Sequence, residues 1–138
     1  MRRAGTRFLT AMQSELSEKL SRVKRALETL RIPLTQNEYQ LHELIAAALD
    51  DGGFVVRHEA LIAPRCRIDF LTEGVGIEVK RGKPDRRRLT EQCRRYLASD
   101  QLEALVLVVD TRVTLPDTLC GKPILVIGLN RLWGIALP

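Results

Sequence analysis

The chain has 138 residues, of which 45% are hydrophobic and 28% charged. That balance fits about one folded domain and excludes a disordered tail, a collagen-like rod and a disulfide-dense miniprotein. The net charge is +5. No apolar run approaches the ~20 residues that span a bilayer, and no stretch of signal-peptide length follows the basic start, so a cytoplasmic protein is expected. Cys66, Cys93 and Cys120 are evenly spaced and odd in number. They predict buried or half-buried thiols rather than a disulfide framework or a zinc site.

Residues 7–30 read as one long amphipathic helix. Phe8, Met12, Leu16, Leu20, Val23, Leu27 and Leu30 recur by threes and fours, which places them on one stripe. Residues 1–31 carry eight basic side chains against three acidic ones, marking this segment as a basic unit apart from a main domain at 32–138. Ile32-Pro33 ends the helix. Thr35 to Glu38 matches a capping box that opens a second helix, to about residue 50, with Leu41, Leu44, Ile45, Ala48 and Leu49 on its apolar stripe. Asp51-Gly52-Gly53 breaks it.

Strands are predicted at residues 54–60, 67–71 and 75–80, the last two forming a hairpin about Thr72-Glu73-Gly74. Asp85 is a fair N-cap for a third helix at 86–98. Residues 105–109 form an unbroken run of β-formers, the mark of a strand buried on both faces. Pro116-Asp117 and Gly121-Lys122-Pro123 read as turns, 124–127 as another buried strand, and 132–137 as a short edge strand. Antiparallel strands before a βαβ crossover predict an α/β fold: one mixed central sheet flanked by helices.

The chemistry concentrates in the hairpin. Side chains alternate along a strand, so Glu78 and Lys80 share one face and Ile77 and Val79 the other. Asp69, between Ile68 and Phe70, should lie beside Glu78. Two adjacent carboxylates repel unless a cation sits between them. Mg²⁺ takes such oxygen ligands, Mn²⁺ can substitute, and a neighbouring lysine adds a second positive group for a water or a phosphate. The plainer reading is a solvated polar face. Glu38 falls on the apolar stripe of its helix, aimed at the sheet, although a residue at a helix start can also simply satisfy backbone donors. Gln92 and Tyr96, four apart on the third helix, can face the same site, with a half-buried tyrosine as the plainer alternative. His42 reads as a surface residue and Glu59 as half of a strand-end salt bridge. No phosphate-binding glycine loop is present, which argues against a nucleotide cofactor.

Asp69, then Glu78-Val79-Lys80 after a hairpin, with Glu38 on the preceding helix and Gln92 on the following one, resembles the PD-(D/E)xK nuclease superfamily. The likeness covers residues 35–110, and Ile68 stands where the family pattern has proline. It implies a restriction-endonuclease-like αβββαβ core with an extra N-terminal helix, and a Mg²⁺-dependent DNA endonuclease similar to archaeal-type Holliday junction resolvases and small phage or repair nucleases. It further implies that Asp69 and Glu78 are metal ligands, that Lys80 aligns or activates the water, that Glu38 is an accessory acid, and that Gln92 completes the catalytic set. Arg81, Lys83, Arg86, Arg87, Arg88, Arg94 and Arg95 would then hold DNA phosphates. The first helix, having no partner in that core, is expected to pair with the same helix of a second subunit, or else to fold back on its own sheet. The rival readings are a non-catalytic nucleic-acid-binding module and an assembly protein of a DNA-processing complex.

Overall fold

The computed structural model describes residues 2–31 and 37–129, with side chains from residue 10 onward. The predicted edge strand at 132–137, the Ile32-Pro33 stop and the Thr35 cap lie outside these. The elements in chain order are α1 (Arg2–Glu28), α2 (Glu38–Asp51), β1 (Arg57–Ala63), β2 (Cys66–Thr72), β3 (Val75–Lys80), α3 (Arg86–Leu97), β4 (Ala104–Val109), β5 (Thr118–Leu119) and β6 (Lys122–Gly128). The strands form one mixed sheet in the order β1-β2-β3-β4-β6-β5. β2 runs antiparallel to both β1 and β3, β3, β4 and β6 run parallel, and β5 turns back on β6. No helix among the described residues is long and apolar enough to cross a membrane.

The sheet separates two cores. On one face α1 and α2 cover Phe70, Val75, Ile77, Val79, Val106 and Val108. On the other, α3 covers Ile68, Leu71, Leu105, Leu107 and Val109. β4 feeds both cores, which is why its sequence shows no alternation. Gly76 faces α3 at a place where a Cβ would come 2.4 Å from Ile68 Cδ1 and 2.7 Å from Leu102 Cδ2, so a larger residue there would have to displace those side chains.

Three expectations are corrected here. The N-cap of α2 is Asn37, two residues later than expected: its side chain accepts the Gln40 N–H at 2.8 Å, and Gln40 returns the bond to the Asn37 N–H at 3.1 Å. Glu38 is therefore the first residue of the helix rather than its third. α1 does have a partner within the chain. Val23, Leu27 and Leu30 are buried against α2 and the sheet. Lys19 bonds the carbonyl of Glu73 and the carboxylate of Glu103, both at 3.2 Å, and the Arg22 guanidinium lies 4.6 Å over the Phe54 ring. The second half of α1 thus folds back, which removes the ground on which pairing with a second subunit was expected. Met12, in the first half, stays exposed. Finally, Cys66 and Cys93 are buried but Cys120 is exposed. It sits in the two-residue β5–β6 turn with Gly121, both at positive φ, and that turn carries its side chain out to solvent.

Candidate functional site

The site grows from an interruption in the sheet. β2 and β3 pair from Thr72↔Val75 to Phe70↔Ile77, and there the ladder stops. At the next step Asp69 and Glu78 face each other, and their side chains replace the backbone bonds. The Asp69 N–H donates to Glu78 Oε1 at 3.0 Å, and the Val79 N–H donates to Asp69 Oδ2 at 2.8 Å.

Strict alternation in β2 also fails at this point. Ile68 packs under α3, whereas Phe70 packs under α1 and α2. In β1, His58 leans on the Phe70 ring, while Ala60 lies in the α3 core. The residue between them, Glu59, adopts φ +46°, a left-handed conformation unusual for a non-glycine residue in a strand. Glu59 thus turns the edge strand over opposite Asp69, in place of the expected strand-end salt bridge. Asp69 and Glu78 do meet, as expected, but across a gap rather than along one flat face.

The gap opens toward both layers. On the α2 side, His42 Nε2 lies 3.8 Å from Asp69 Oδ2 and 3.9 Å from Glu38 Oε1. It is buried without a hydrogen-bond partner among the described residues. On the α3 side, Tyr96 Oη donates to Glu78 Oε2 at 2.8 Å, Gln92 Nε2 donates to Tyr96 Oη at 2.7 Å, and Lys80 Nζ lies 3.4 Å from the same Glu78 oxygen. Glu78 is only 6% exposed. Burial, and then the charge of Asp69, push its carboxyl up to about 7, while the hydrogen bonds from Tyr96 and the Asp69 N–H and the charge of Lys80 pull it back down. Burial and the adjoining Glu78 also push the Tyr96 phenol up, so it serves as a donor. Cys93, raised to about 11 chiefly by burial, is an inert thiol beside this cluster.

Of the expected site residues, Asp69, Glu78 and Lys80 come together. Glu38 does not reach them. Its angular position faces the core, but as the first residue of α2 it is not covered by the sheet, and its side chain is 71% exposed. It touches the cluster through His42 alone. Gln92 contacts Tyr96 rather than either carboxylate. Arg81 pairs with Asp110 at 3.6 Å, and Asp110 also accepts the Gly82 N–H at 2.8 Å. Arg81 therefore helps latch the β3–α3 loop to the end of β4. Lys83, Arg86, Arg87, Arg88, Arg94 and Arg95 are exposed. Arg87, Arg88 and Arg95 line a groove of about 500 Å³ with Glu91 and Gln92, and Arg94 pairs with Glu91 at 3.1 Å.

The sequence placed Tyr96 near the site but only half-buried, and it read His42 as a surface residue. His42 lies one turn beyond Glu38 on α2, and that i,i+4 spacing was its only signal. Tyr96 was visible as the helical neighbour of Gln92, but its burial was not.

Among the described residues no three His, Cys, Asp or Glu side chains are arranged as a metal-binding group. The donor chemistry nonetheless suits a hard cation, because Mg²⁺ needs only one or two carboxylates and keeps its remaining places for water and phosphate. Two carboxylates side by side, one raised to about 7, and an unpartnered imidazole nitrogen beside them form a place that a cation would relieve. No known family model matches the chain, and no curated protein or solved structure is significantly similar to it.

Proposed function

We propose that this α/β protein is a Mg²⁺-dependent DNA endonuclease built on a restriction-endonuclease-like core. The observation that carries the reading is the Asp69–Glu78 pair across the β2–β3 gap, with Lys80 Nζ 3.4 Å from Glu78. The order α2, β1, β2, β3, α3, β4 around it supports the same reading, as does the arginine groove on α3.

In this reading Asp69 and Glu78 hold the cation, with His42 Nε2 3.8 Å from the Asp69 carboxylate. A cation held by these two carboxylates would lower the pKa of a bound water and offset charge on the scissile phosphate. Lys80 orients the attacking water and adds a positive charge where the phosphorane-like charge develops. Arg87, Arg88 and Arg95 hold the flanking backbone through sequence-independent contacts. Mn²⁺ substitutes for Mg²⁺.

One observation favours a second reading. Each carboxylate accepts an N–H from the opposite strand, so the pair could serve only to close the sheet of a non-catalytic nucleic-acid-binding module. Incubation with a panel of linear and branched DNAs, in Mg²⁺, Mn²⁺ or EDTA, separates the two. Metal-dependent cleavage that Asp69→Asn and Glu78→Gln each abolish is the expected outcome. Full activity in either variant, or DNA binding with no cleavage of any substrate, refutes the nuclease.

A further inference from the structure

Gln92 and Tyr96 stand one turn apart on α3 and form a directed donor chain. The Gln92 amide donates to Tyr96 Oη at 2.7 Å, and Tyr96 Oη donates to Glu78 Oε2 at 2.8 Å. A phenol has one proton. With its oxygen receiving the amide N–H, that proton goes to Glu78. The ring is 3% exposed and packed in the same core as Leu89, Leu97 and Leu107, so it does not swing away. The other Glu78 oxygen receives the Asp69 N–H. A carboxylate held at both oxygens by a buried ring and a strand amide has one orientation. Lys80 is farther from Oε2, at 3.4 Å, than a tight charge-assisted hydrogen bond allows. Tyr96, rather than Lys80, therefore sets the angle of Glu78, and the lysine ammonium stays available for another partner.

Gln92 also lines the arginine groove, where it could instead contact a phosphate. One of its amide N–H groups is already committed to Tyr96. Resting on the reading of Asp69 and Glu78 as ligands of a divalent cation, we infer that Tyr96 is the positioning residue of that site, and that Gln92 acts through Tyr96 rather than on the DNA. Residues that orient metal ligands in this way contribute about 10–100-fold to metal affinity.

The test uses the full chain and Mn²⁺ alone as probe, with binding read from the paramagnetic resonance of free Mn²⁺. Tyr96→Phe keeps the ring and removes only the hydroxyl. It should weaken Mn²⁺ binding by about 10–100-fold while leaving the affinity for labelled duplex DNA in EDTA unchanged. Gln92→Ala, at a half-buried surface position, should give a smaller loss of the same kind and add nothing to Tyr96→Phe. A merely structural hydroxyl would lower the melting temperature and leave the Mn²⁺ affinity of the folded chain untouched. Wild-type Mn²⁺ affinity in Tyr96→Phe overturns the positioning role. So does a Gln92→Ala chain that loses DNA affinity in EDTA and keeps its Mn²⁺ affinity. A folded wild-type chain that binds no Mn²⁺ overturns the metal reading itself, and the positioning role falls with it.

Discussion

Replacing Glu78 by glutamine should make the metal-free protein more stable at neutral and alkaline pH. The carboxyl is buried beside Asp69 and raised from 4.5 to about 7. A displacement of that size opposes the ionised form by about 3 kcal/mol in the folded state. Below pH 4.5 the group is protonated in both folded and unfolded chains, and nothing is lost. Between 4.5 and about 7 the folded state binds more protons than the unfolded state, so stability falls as the pH rises. Above about 7 the loss is complete. Glutamine keeps the shape and can still accept the Asp69 N–H, but it has no charge to bury. Urea unfolding of both chains in EDTA, from about pH 4 to about pH 8, should therefore show the variant gaining on the wild type by about 3 kcal/mol across that window. Subtracting the two profiles removes the titration of groups they share. Mg²⁺ should restore the alkaline stability of the wild type and leave the variant unmoved, since a ligand stabilises only the state that binds it. A difference that is flat with pH would refute the claim that burial beside Asp69 disfavours the ionised Glu78 carboxylate.

Three further outcomes follow from the same geometry. Leu27 is fully buried between α1, α2 and the sheet, so Leu27→Ala should cost about 2–5 kcal/mol in urea unfolding, and deletion of residues 1–31 should yield an unfolded chain by circular dichroism rather than a folded monomer. Arg86, Arg87 and Arg88 are exposed on the first turn of α3; changing all three to alanine should lower the dependence of log affinity on log salt by about two to three in anisotropy titrations, and an unchanged slope would remove that turn from the DNA surface.

The legible parts of this protein were those set by local chemistry. Hydrophobic patterning placed α1, α2 and β4 because a helix or strand buries residues at a period its own backbone dictates. Asp85 caps α3 because a carboxylate bonds the Arg88 N–H three residues on, a contact within one turn. The Asp69–Glu78 pairing was legible because a two-residue turn, Glu73-Gly74, sets the register of the hairpin. Even so, the manner of the meeting was not. The sheet turns over at Glu59 and Asp69, and alternation cannot report a break in itself.

Everything that depends on two elements meeting was decided in three dimensions. Tyr96 reaches Glu78 because α3 lies across β3, and His42 reaches Asp69 because α2 covers the opposite face. No spacing within either helix encodes that encounter. Arg81 meets Asp110 because β3 and β4 run parallel and end side by side, although 29 residues separate the two in sequence. The exposure of Glu38 follows from where α2 begins relative to the sheet, not from its place on the helical wheel. The apolar stripe of α1 announced that something must cover Val23, Leu27 and Leu30; whether that cover is another chain or its own sheet depends on room beside α2, which only the packed structure contains.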